Sequence, residues 1–227
     1  EGPGEFYQKE AIKPNYTKRF DTLAQYNETS FEFIKRIAKR RGEWFYSDGM
    51  RMQFGQLKTS KTKLIRGSSV HNFNEVVKLK SHKTSISGYD YRTANSIRSN
   101  QNKADVGSMN GHSKMAQNDL ESVAHSKTVN YSTYTAQAND SAEIAEMVKL
   151  QTAGSNAKNV KYSGMSYLPL GLGQKFVVID GNVQYDLVVI EVTHLSKVFG
   201  NYCCNFVAIP DDVYAPHYTN VKAFSRA

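Results

Sequence analysis

The chain of 227 residues is long enough for one large or two small domains, each with its own hydrophobic core. Hydrophobic residues make up 40% and charged residues 22%, the composition of an ordinary globular protein. No apolar run approaches the roughly 18–20 residues of a membrane-spanning helix, so we expect no stable membrane insertion by this segment. The opening EGPGEFYQKE lacks the basic and then apolar pattern of a secretory signal.

Positive charge is concentrated in the first third of the chain. The net charge is +8, and residues 1–80 hold 16 Lys/Arg against 9 Asp/Glu, whereas the remainder holds 13 against 12. Such a region fits either a solvated face or a surface that binds nucleic acid, an anionic surface or an acidic partner. We favour a solvated face, since charge runs on amphipathic helices usually face water.

The first predicted element is a helix over Ser30–Arg41. Thr29 and Glu32 form the sequence of a capping box, and Gly42 is suited to a left-handed cap at the other end. Apolar residues at helical spacing form one face, which we expect to pack under the next hairpin. This face consists of Phe31, Ile34, Ile37 and Ala38.

A β-hairpin is predicted directly after this helix. The aromatic run Trp44–Tyr46 is followed by an Asp-Gly turn at Asp48–Gly49 and by alternating apolar residues over Met50–Phe54. Further strands are predicted near Leu64–Ile65 and Val76–Lys80. The chain thus begins as a strand-rich region with one helix.

The middle of the chain, residues 84–139, is rich in Ser, Asn, Thr, Gln and Gly and poor in branched apolar residues. We interpret it as a polar connecting segment that includes short strands. The aromatic and β-branched positions that predict those strands are Tyr89, Tyr91, Val129, Tyr131 and Tyr134.

A second helix is predicted over Ser141–Ala153. Asp140 can cap it, Glu143 lies in its first turn, and Gly154 is expected to end it. Its apolar face consists of Ile144, Met147, Val148 and Gln151.

The last third predicts an antiparallel meander. Strands over Phe176–Ile179, Tyr185–Leu195 and Tyr202–Ile209 are separated by turns at Asp180–Asn182 and Phe199–Asn201. The sequence therefore predicts an α+β fold that is mainly antiparallel β. We divide it into three parts, namely residues 1–83, 84–139 and 140–227.

We find no catalytic or metal-binding pattern and predict no enzyme activity, no cofactor and no metal. No His has another His or Cys two to four residues away, and His194 is best explained as a strand histidine. The glycine pair Gly171–Gly173 precedes a strand, whereas a phosphate cradle needs a helix behind it. Asp211–Asp212 is weak support for acid–base chemistry. Cys203 and Cys204 are neighbours and point to opposite faces of a strand, which argues against chelation of one metal.

Nucleic-acid binding has one argument in its favour, the basic helix face close to Trp44 and Tyr46. The two aromatics, however, continue into an alternating hairpin, where core packing is the more common role. A basic nucleic-acid- or polysaccharide-binding module is therefore the alternative function.

The stretch Gln25–Gly49 resembles the most recognisable part of the VgrG spike proteins of type VI secretion, a family similar to the hub proteins of contractile phage tails. Its matching positions are Gln25, Tyr26, Glu28, Phe31, Phe33, Gly42, Trp44, Phe45 and Tyr46. Tyr89–Tyr91, Leu170–Gly171 before Phe176, and Asn205–Pro210 resemble later family strands in the same order. Residues 92–128 match nothing in the family, and Pro169 stands one place earlier than its Pro-Gly loop requires.

The resemblance implies barrel-like β domains with helical additions, which form a structural hub between a tail tube and a trimeric spike. It implies a homotrimer in the full-length protein, and tail-tube, baseplate and effector proteins as partners, with no nucleic acid. Assembly in the bacterial cytoplasm followed by export through the injection machine would be expected. The chain lacks a starting Met, and we expect it to be a fragment whose isolated form is a monomer or weak oligomer.

Overall fold

The computed structural model describes residues 9–20, 23–78, 84–90, 94–101, 115, 129–133, 141–196 and 200–221. Within them lie a 3-10 turn at Lys9–Ala11 and two helices, α1 (Ser30–Arg41) and α2 (Ser141–Asn156). The strands are β1 (Ile12–Lys13), β2 (Trp44–Ser47), β3 (Met52–Gly55), β4 (Lys61–Ile65), β5 (Val70–Val77), β6 (Thr84–Asp90), β7 (Asn95–Gln101), β8 (Val129–Thr133), β9 (Val160–Ser166), β10 (Lys175–Asp180), β11 (Val183–Ser196) and β12 (Tyr202–Pro210).

The largest sheet has six strands in the order β4-β10-β11-β12-β9-β5. Every pair is antiparallel except β4 with β10, which is parallel. β4 and β5 lie at opposite ends of this order, yet only residues 66–69 separate them in the chain. The turn is closed by hydrogen bonds from Gly67 N to Val70 O (2.8 Å) and from Ser69 N to Ile65 O (2.9 Å). The two outer strands therefore meet at one end, and we refer to this as the curled sheet.

All six strands of the curled sheet contribute to one apolar cluster, which requires that the sheet wraps around a common interior. Its buried members are Leu64, Val70, Phe73, Val160, Tyr162, Leu170, Phe176, Val178, Leu187, Val189, Cys204, Phe206 and Ala208. The predicted α+β fold with barrel-like, mainly antiparallel β structure is confirmed.

The predicted meander is confirmed as β10, β11 and β12. The sequence predicts β5 and β9 of the curled sheet less accurately. The strand predicted near Val76–Lys80 is confirmed only at its beginning, because β5 starts earlier, at Val70, and ends at Val77. Residues 79–80 lie outside the described part of the chain. A register shift between His71 and Asn74 breaks its two-residue periodicity. β9 is missed altogether, since Ser and Gly interrupt its apolar alternation.

A small three-stranded sheet, in the order β1-β3-β2, covers part of the outside of the curled sheet. It contains the predicted hairpin, although β3 begins at Met52 and Met50 lies in the turn, 87% exposed. Trp44 packs with Val188 and Ile209 on the outer side of β11 and β12, and Tyr46 packs against the same cluster. The face of the small sheet that carries Trp44 and Tyr46 is therefore part of the hydrophobic core.

The predicted bounds and caps of α1 are confirmed. Thr29 Oγ1 accepts a hydrogen bond from Glu32 N, Glu32 Oε2 accepts one from Thr29 N, and Gly42 has φ = +65°. The predicted apolar stripe is wrong in one respect, because Phe31 is 54% exposed although its ring lies 5.4 Å from that of Phe45. Farther along the stripe Ala38 is buried, whereas the two isoleucines are only half-buried.

Helix α2 packs on the third sheet, which has the order β7-β6-β8. Its start at Ser141 and its buried face are as predicted, and Asp140 lies outside the described residues. The prediction that Gly154 ends it is wrong, because the helix continues to Asn156. A Cβ at Gly154 would lie 2.5 Å from Thr219 Cβ, so this glycine permits close packing of the C-terminal segment.

The polar middle segment supplies the three strands of this third sheet. Tyr89 lies in β6, and Val129 and Tyr131 lie in β8, as predicted, whereas Tyr91 and Tyr134 lie outside the described residues. The division of the chain into three parts stays a prediction. The curled sheet draws β4 and β5 from the first of these parts and β9–β12 from the last.

Candidate binding cleft at the helix junction

A buried ion pair ties the end of α1 to the start of α2. Arg41 Nη1 lies 3.0 Å from Glu143 Oε1, and the two side chains are 7% and 19% exposed. The Arg41 guanidinium also lies 4.0 Å from the ring centroid of Tyr16 and 4.9 Å from that of Phe20. Its buried Nε atom has no hydrogen-bond partner within the described part of the chain. This arrangement positions a cation where two helices and the N-terminal segment meet.

Glu43 holds the N-terminal segment on the other side of the same junction. Its buried carboxylate accepts hydrogen bonds from Asn15 N (2.8 Å), Asn15 Nδ2 (3.0 Å) and Tyr16 N (2.7 Å). The hydroxyl of Tyr218 donates to Glu43 O (2.8 Å) and accepts from Phe45 N (2.6 Å). Burial raises the pKa of Tyr218, so this hydroxyl stays protonated and keeps the hydrogen that it donates. Segments remote in sequence are thus joined around β2.

These elements border a cleft of about 780 Å³. Its walls are formed by residues 15–18, the end of α1, the first turns of α2 and residues 211–214. Apolar side chains such as Trp44 and Met147 alternate in its lining with charged ones such as Arg41, Glu146 and Lys175. A mixed lining of this kind can hold a polypeptide segment through both apolar and ionic contacts.

The carboxylate pair singled out in the sequence lies at one end of this cleft. Asp211 is nearly buried and accepts two lysines, with distances of 2.8 Å to Lys61 Nζ and 3.4 Å to Lys175 Nζ. Lys61 also contacts Asp186 at 2.6 Å, and hydrogen bonds from it to Asp186 and Asp211 raise the pKa of Lys61. Asp212 is exposed. Asp211 therefore links β4 to β10 and to the end of β12.

The histidine and cysteine candidates lie away from the cleft. His194 is exposed on β11, where its Nδ1 lies 2.7 Å from the hydroxyl oxygen of Tyr202. Cys203 is half-buried, Cys204 is buried, and both are free thiols. Among the described residues no three His, Cys, Asp or Glu side chains are grouped to hold a metal ion. In that same part of the chain no helix has the length and apolar character to cross a membrane.

The glycine pair and the two hairpin aromatics belong to one packing arrangement. Gly171 and Gly173 form a turn ahead of β10, and Gly173 has φ = +69°. A Cβ on Gly173 would lie 2.3 Å from the ring of Tyr46, so the ring is seated on the turn. Trp44 is 8% exposed. The turn interpretation of the glycine pair and the core-packing interpretation of the two aromatics are confirmed.

Sequence reasoning missed the residues that build this junction. The patterns place Arg41 at the end of one helix and Glu143 in the first turn of another, and they assign no role to Glu43. It stands between a helix cap and an aromatic strand, where a charged residue needs a partner if it becomes buried. The hydrogen-bond partners come from positions 27 to 175 residues away, which no local pattern reveals.

Comparison with known proteins places the fold among phage-tail structures. No protein-family profile matches the sequence, and no curated protein matches it either. The 43 kDa tail protein of prophage MuSo2 from Shewanella oneidensis is similar over 82% of this chain and 55% of its own, with 14% identity and a TM-score of 0.59. A tail protein from Neisseria meningitidis MC58 is similar over 87% of this chain and 60% of its own, with 10% identity and the same TM-score.

A weaker similarity, with a TM-score of 0.43 and 13% identity, links 89% of this chain to 41% of an Escherichia coli component of the type VI secretion system. A score of that size does not establish a common fold. The chain spans a little over half the length of the two tail proteins. It therefore has a fold found in prophage tail proteins.

Proposed function

We propose that this chain is the hub region of a contractile injection device, where it joins the tail tube to a trimeric spike. The observation that carries the proposal is the fold shared with two tail proteins, one of them from a prophage, over 82% and 87% of the chain. The resemblance of Gln25–Gly49 to VgrG spike proteins supports the type VI secretion form of such a device.

The use of buried charge around the cleft supports a structural rather than an enzymatic role. Glu43 holds the N-terminal segment, Asp211 joins strands, and Arg41 links the two helices through Glu143. Each of these groups is engaged by chain segments, whereas an acid–base catalyst needs a carboxyl or imidazole that faces substrate. The proposed role is therefore positioning of protein partners.

The partners follow from the proposed hub role. Three copies of the full-length protein form a ring, which binds the tail-tube subunit on one side and continues into the spike on the other. Baseplate and effector proteins complete the assembly. It forms in the bacterial cytoplasm and is then exported by the machine.

Light scattering coupled to size-exclusion chromatography tests the proposal directly. We expect the full-length protein at micromolar concentration to be a trimer that co-elutes with a tail-tube subunit from the same organism. The 227-residue chain alone should be a monomer or weak oligomer, since obligate interfaces often bury about 2,000 Å² or more and the spike would supply much of that area.

A dimer of the full-length protein, or failure to bind any tube subunit, would contradict the hub role.

Fluorescence anisotropy with single- and double-stranded DNA tests the alternative function, nucleic-acid binding. A nucleic-acid-binding module would bind tightly at low salt and lose affinity steeply as salt rises. A hub should show little binding at physiological salt.

A further inference from the structure

Two lysines share the outward face of the curled sheet where β5 and β9 pair. Lys161 lies opposite Val76, and its side chain points outward because that of the adjacent Val160 belongs to the interior. Lys78 follows Val76 by two residues and therefore lies on the same face, diagonal to Lys161. The hydrogen bond from Lys78 N to Asn159 O (2.6 Å) keeps this end of the strand in register. Two ammonium groups thus lie on one surface.

A third lysine and a histidine approach this surface from the end of α2 and from the C-terminal segment. Ala157 and Val213 pack against the outer side of β11 and β12, which brings both segments onto the outside of the curled sheet. Burial, and then the charges of Lys158 and Lys161, lower the pKa of His217 to about 4. The imidazole therefore lies close to both ammonium groups and is neutral at pH 7. We call Lys78, Lys158 and Lys161 the lysine cluster.

The lysine cluster differs from other cations of the fold in its lack of a counter-charge. Lys61 contacts two carboxylates, and hydrogen bonds to them raise its pKa. None of the three lysines of the cluster forms an ion pair with a residue that the structure describes. Burial, and then the charge of Lys161, lower the pKa of Lys158, and Glu191 opposes this only in part. Like charges held together in this way mark a candidate binding site.

Capping of α2 does not account for the lysine cluster. The C-terminus of a helix attracts cations, but three carbonyl oxygens at the end of α2 already accept other donors. Thr152 O accepts a hydrogen bond from Asn156 Nδ2 (2.7 Å). Ala153 O accepts one from Ala157 N (2.8 Å). Asn156 O accepts one from Asn159 N (2.8 Å). The helix end is therefore satisfied without the lysines.

We propose that the lysine cluster binds a terminal phosphate group, with His217 at the border of the site. A terminal phosphate carries a charge of about −1.5 to −2 at pH 7, so it can satisfy several ammonium groups at once, whereas a carboxylate brings a single charge. Lysine binds phosphate as a point charge and does not need the planar donor geometry of arginine. The site goes beyond the proposed hub function and does not depend on it.

Titration of the 227-residue chain with inorganic phosphate, followed by ¹H–¹⁵N NMR, tests this proposal. The ionic strength is held constant with sodium chloride, at about pH 7.5, where phosphate is largely dianionic. We expect saturable shifts of the backbone amides of residues 158–161 and of the ring signals of His217. Lys158→Gln and Lys161→Gln should each raise the dissociation constant about fivefold, the effect of one ionic contact at about 4 Å in water.

Lys63→Gln is the matched control, since it removes an exposed lysine of β4 outside the cluster. It should change the dissociation constant by about twofold or less. Co-sedimentation of the same variants with phosphatidylcholine vesicles, with and without phosphatidic acid, distinguishes a lipid headgroup from the free ion as the source of the phosphate. Binding of either probe that depends on Lys158 and Lys161 but not on Lys63 supports the proposal.

The proposal is overturned if neither probe binds saturably at the lysine cluster, if chloride alone reproduces the shifts, or if the test and control variants weaken binding equally. Tighter binding of a DNA duplex without terminal phosphates through the same lysines would also overturn it, because the site would then serve a nucleic-acid backbone. The oligomeric state and tube binding of the full-length protein report separately on the hub role.

Discussion

The curled sheet and the helix junction are stabilised in different ways. The curled sheet encloses an apolar interior, and its central strands β10, β11 and β12 follow one another along the chain. The junction relies on buried charges and hydrogen bonds between remote segments, with 102 residues separating Arg41 from Glu143 and 175 separating Tyr218 from Glu43. Apolar burial is non-directional and supplies stability, whereas buried polar contacts require defined partners and fix how segments are placed.

The largest expected effect is in the curled sheet. Phe176 is fully buried and its ring lies 5.2 Å from that of Phe206. Phe176→Ala should lower the free energy of unfolding by about 3–5 kcal/mol in denaturant titrations, because it removes a large core side chain and leaves a cavity. Val183→Ala, at an exposed strand start, is the control and should change it by about 0.5 kcal/mol or less. A loss below about 1 kcal/mol for Phe176→Ala would mean that the interior is not shared.

The second effect tests whether the stability of the helix junction depends on the ion pair between Arg41 and Glu143. Arg41→Met should destabilise the protein by about 3 kcal/mol, because it leaves the Glu143 carboxylate partly buried without its cation. The double variant Arg41→Met/Glu143→Leu should recover much of that loss. Denaturant titrations of both single variants and the double variant give the coupling energy. Strictly additive losses would show that the ion pair does not link the helices.

The third effect is a pH dependence of stability that arises from His217, in the C-terminal segment beside the junction. Burial, and then the charges of Lys158 and Lys161, lower the pKa of His217 to about 4, and its Nδ1 is buried without a hydrogen-bond partner among the described residues. The unfolded chain, with a His pKa of about 6.5, binds more protons between these values. Stability should therefore be intact above about pH 6.5 and fall as the pH drops towards 4, by about 2–3 kcal/mol.

His217→Gln is the variant that isolates this contribution. It removes the titrating group, so the slope of unfolding free energy between pH 6.5 and 4 should become shallower than in the parent protein. Thermal and urea unfolding across that range provide the measurement. An unchanged slope would assign the pH dependence to carboxylates instead.

The smallest expected effect concerns the apolar side chains of α1, which lie outside the curled sheet and the helix junction. Ile34 is only half-buried, so Ile34→Ala should destabilise the protein by about 1 kcal/mol, below the roughly 2–5 kcal/mol of a fully buried site. The control Phe31→Ser should stay within about 0.5 kcal/mol, because more than half of that ring is already in solvent. A loss of several kcal/mol for Phe31→Ser would show that this ring contributes to the stability of the fold despite its exposure.

The sequence by itself determined the features that depend on neighbouring residues. The caps at Thr29 and Gly42 specify both ends of α1, since they satisfy the free amides and carbonyls of the helix within a few residues. Alternating apolar residues and turn glycines specify the meander of β10, β11 and β12 for the same reason. The mainly antiparallel α+β fold and the packing role of Trp44 follow from these patterns.

Only the tertiary structure decided the features that depend on remote partners. β9 and β5 complete the curled sheet although their own sequences alternate poorly, because the adjoining strands select their register. Gly154 continues a helix instead of ending it, because a segment more than 60 residues later packs against it. The burial of Arg41 and Glu43, and the exposure of Phe31, likewise depend on which segments fold over them. Periodicity tells which side chains share a face, but only the complete fold settles whether that face is covered.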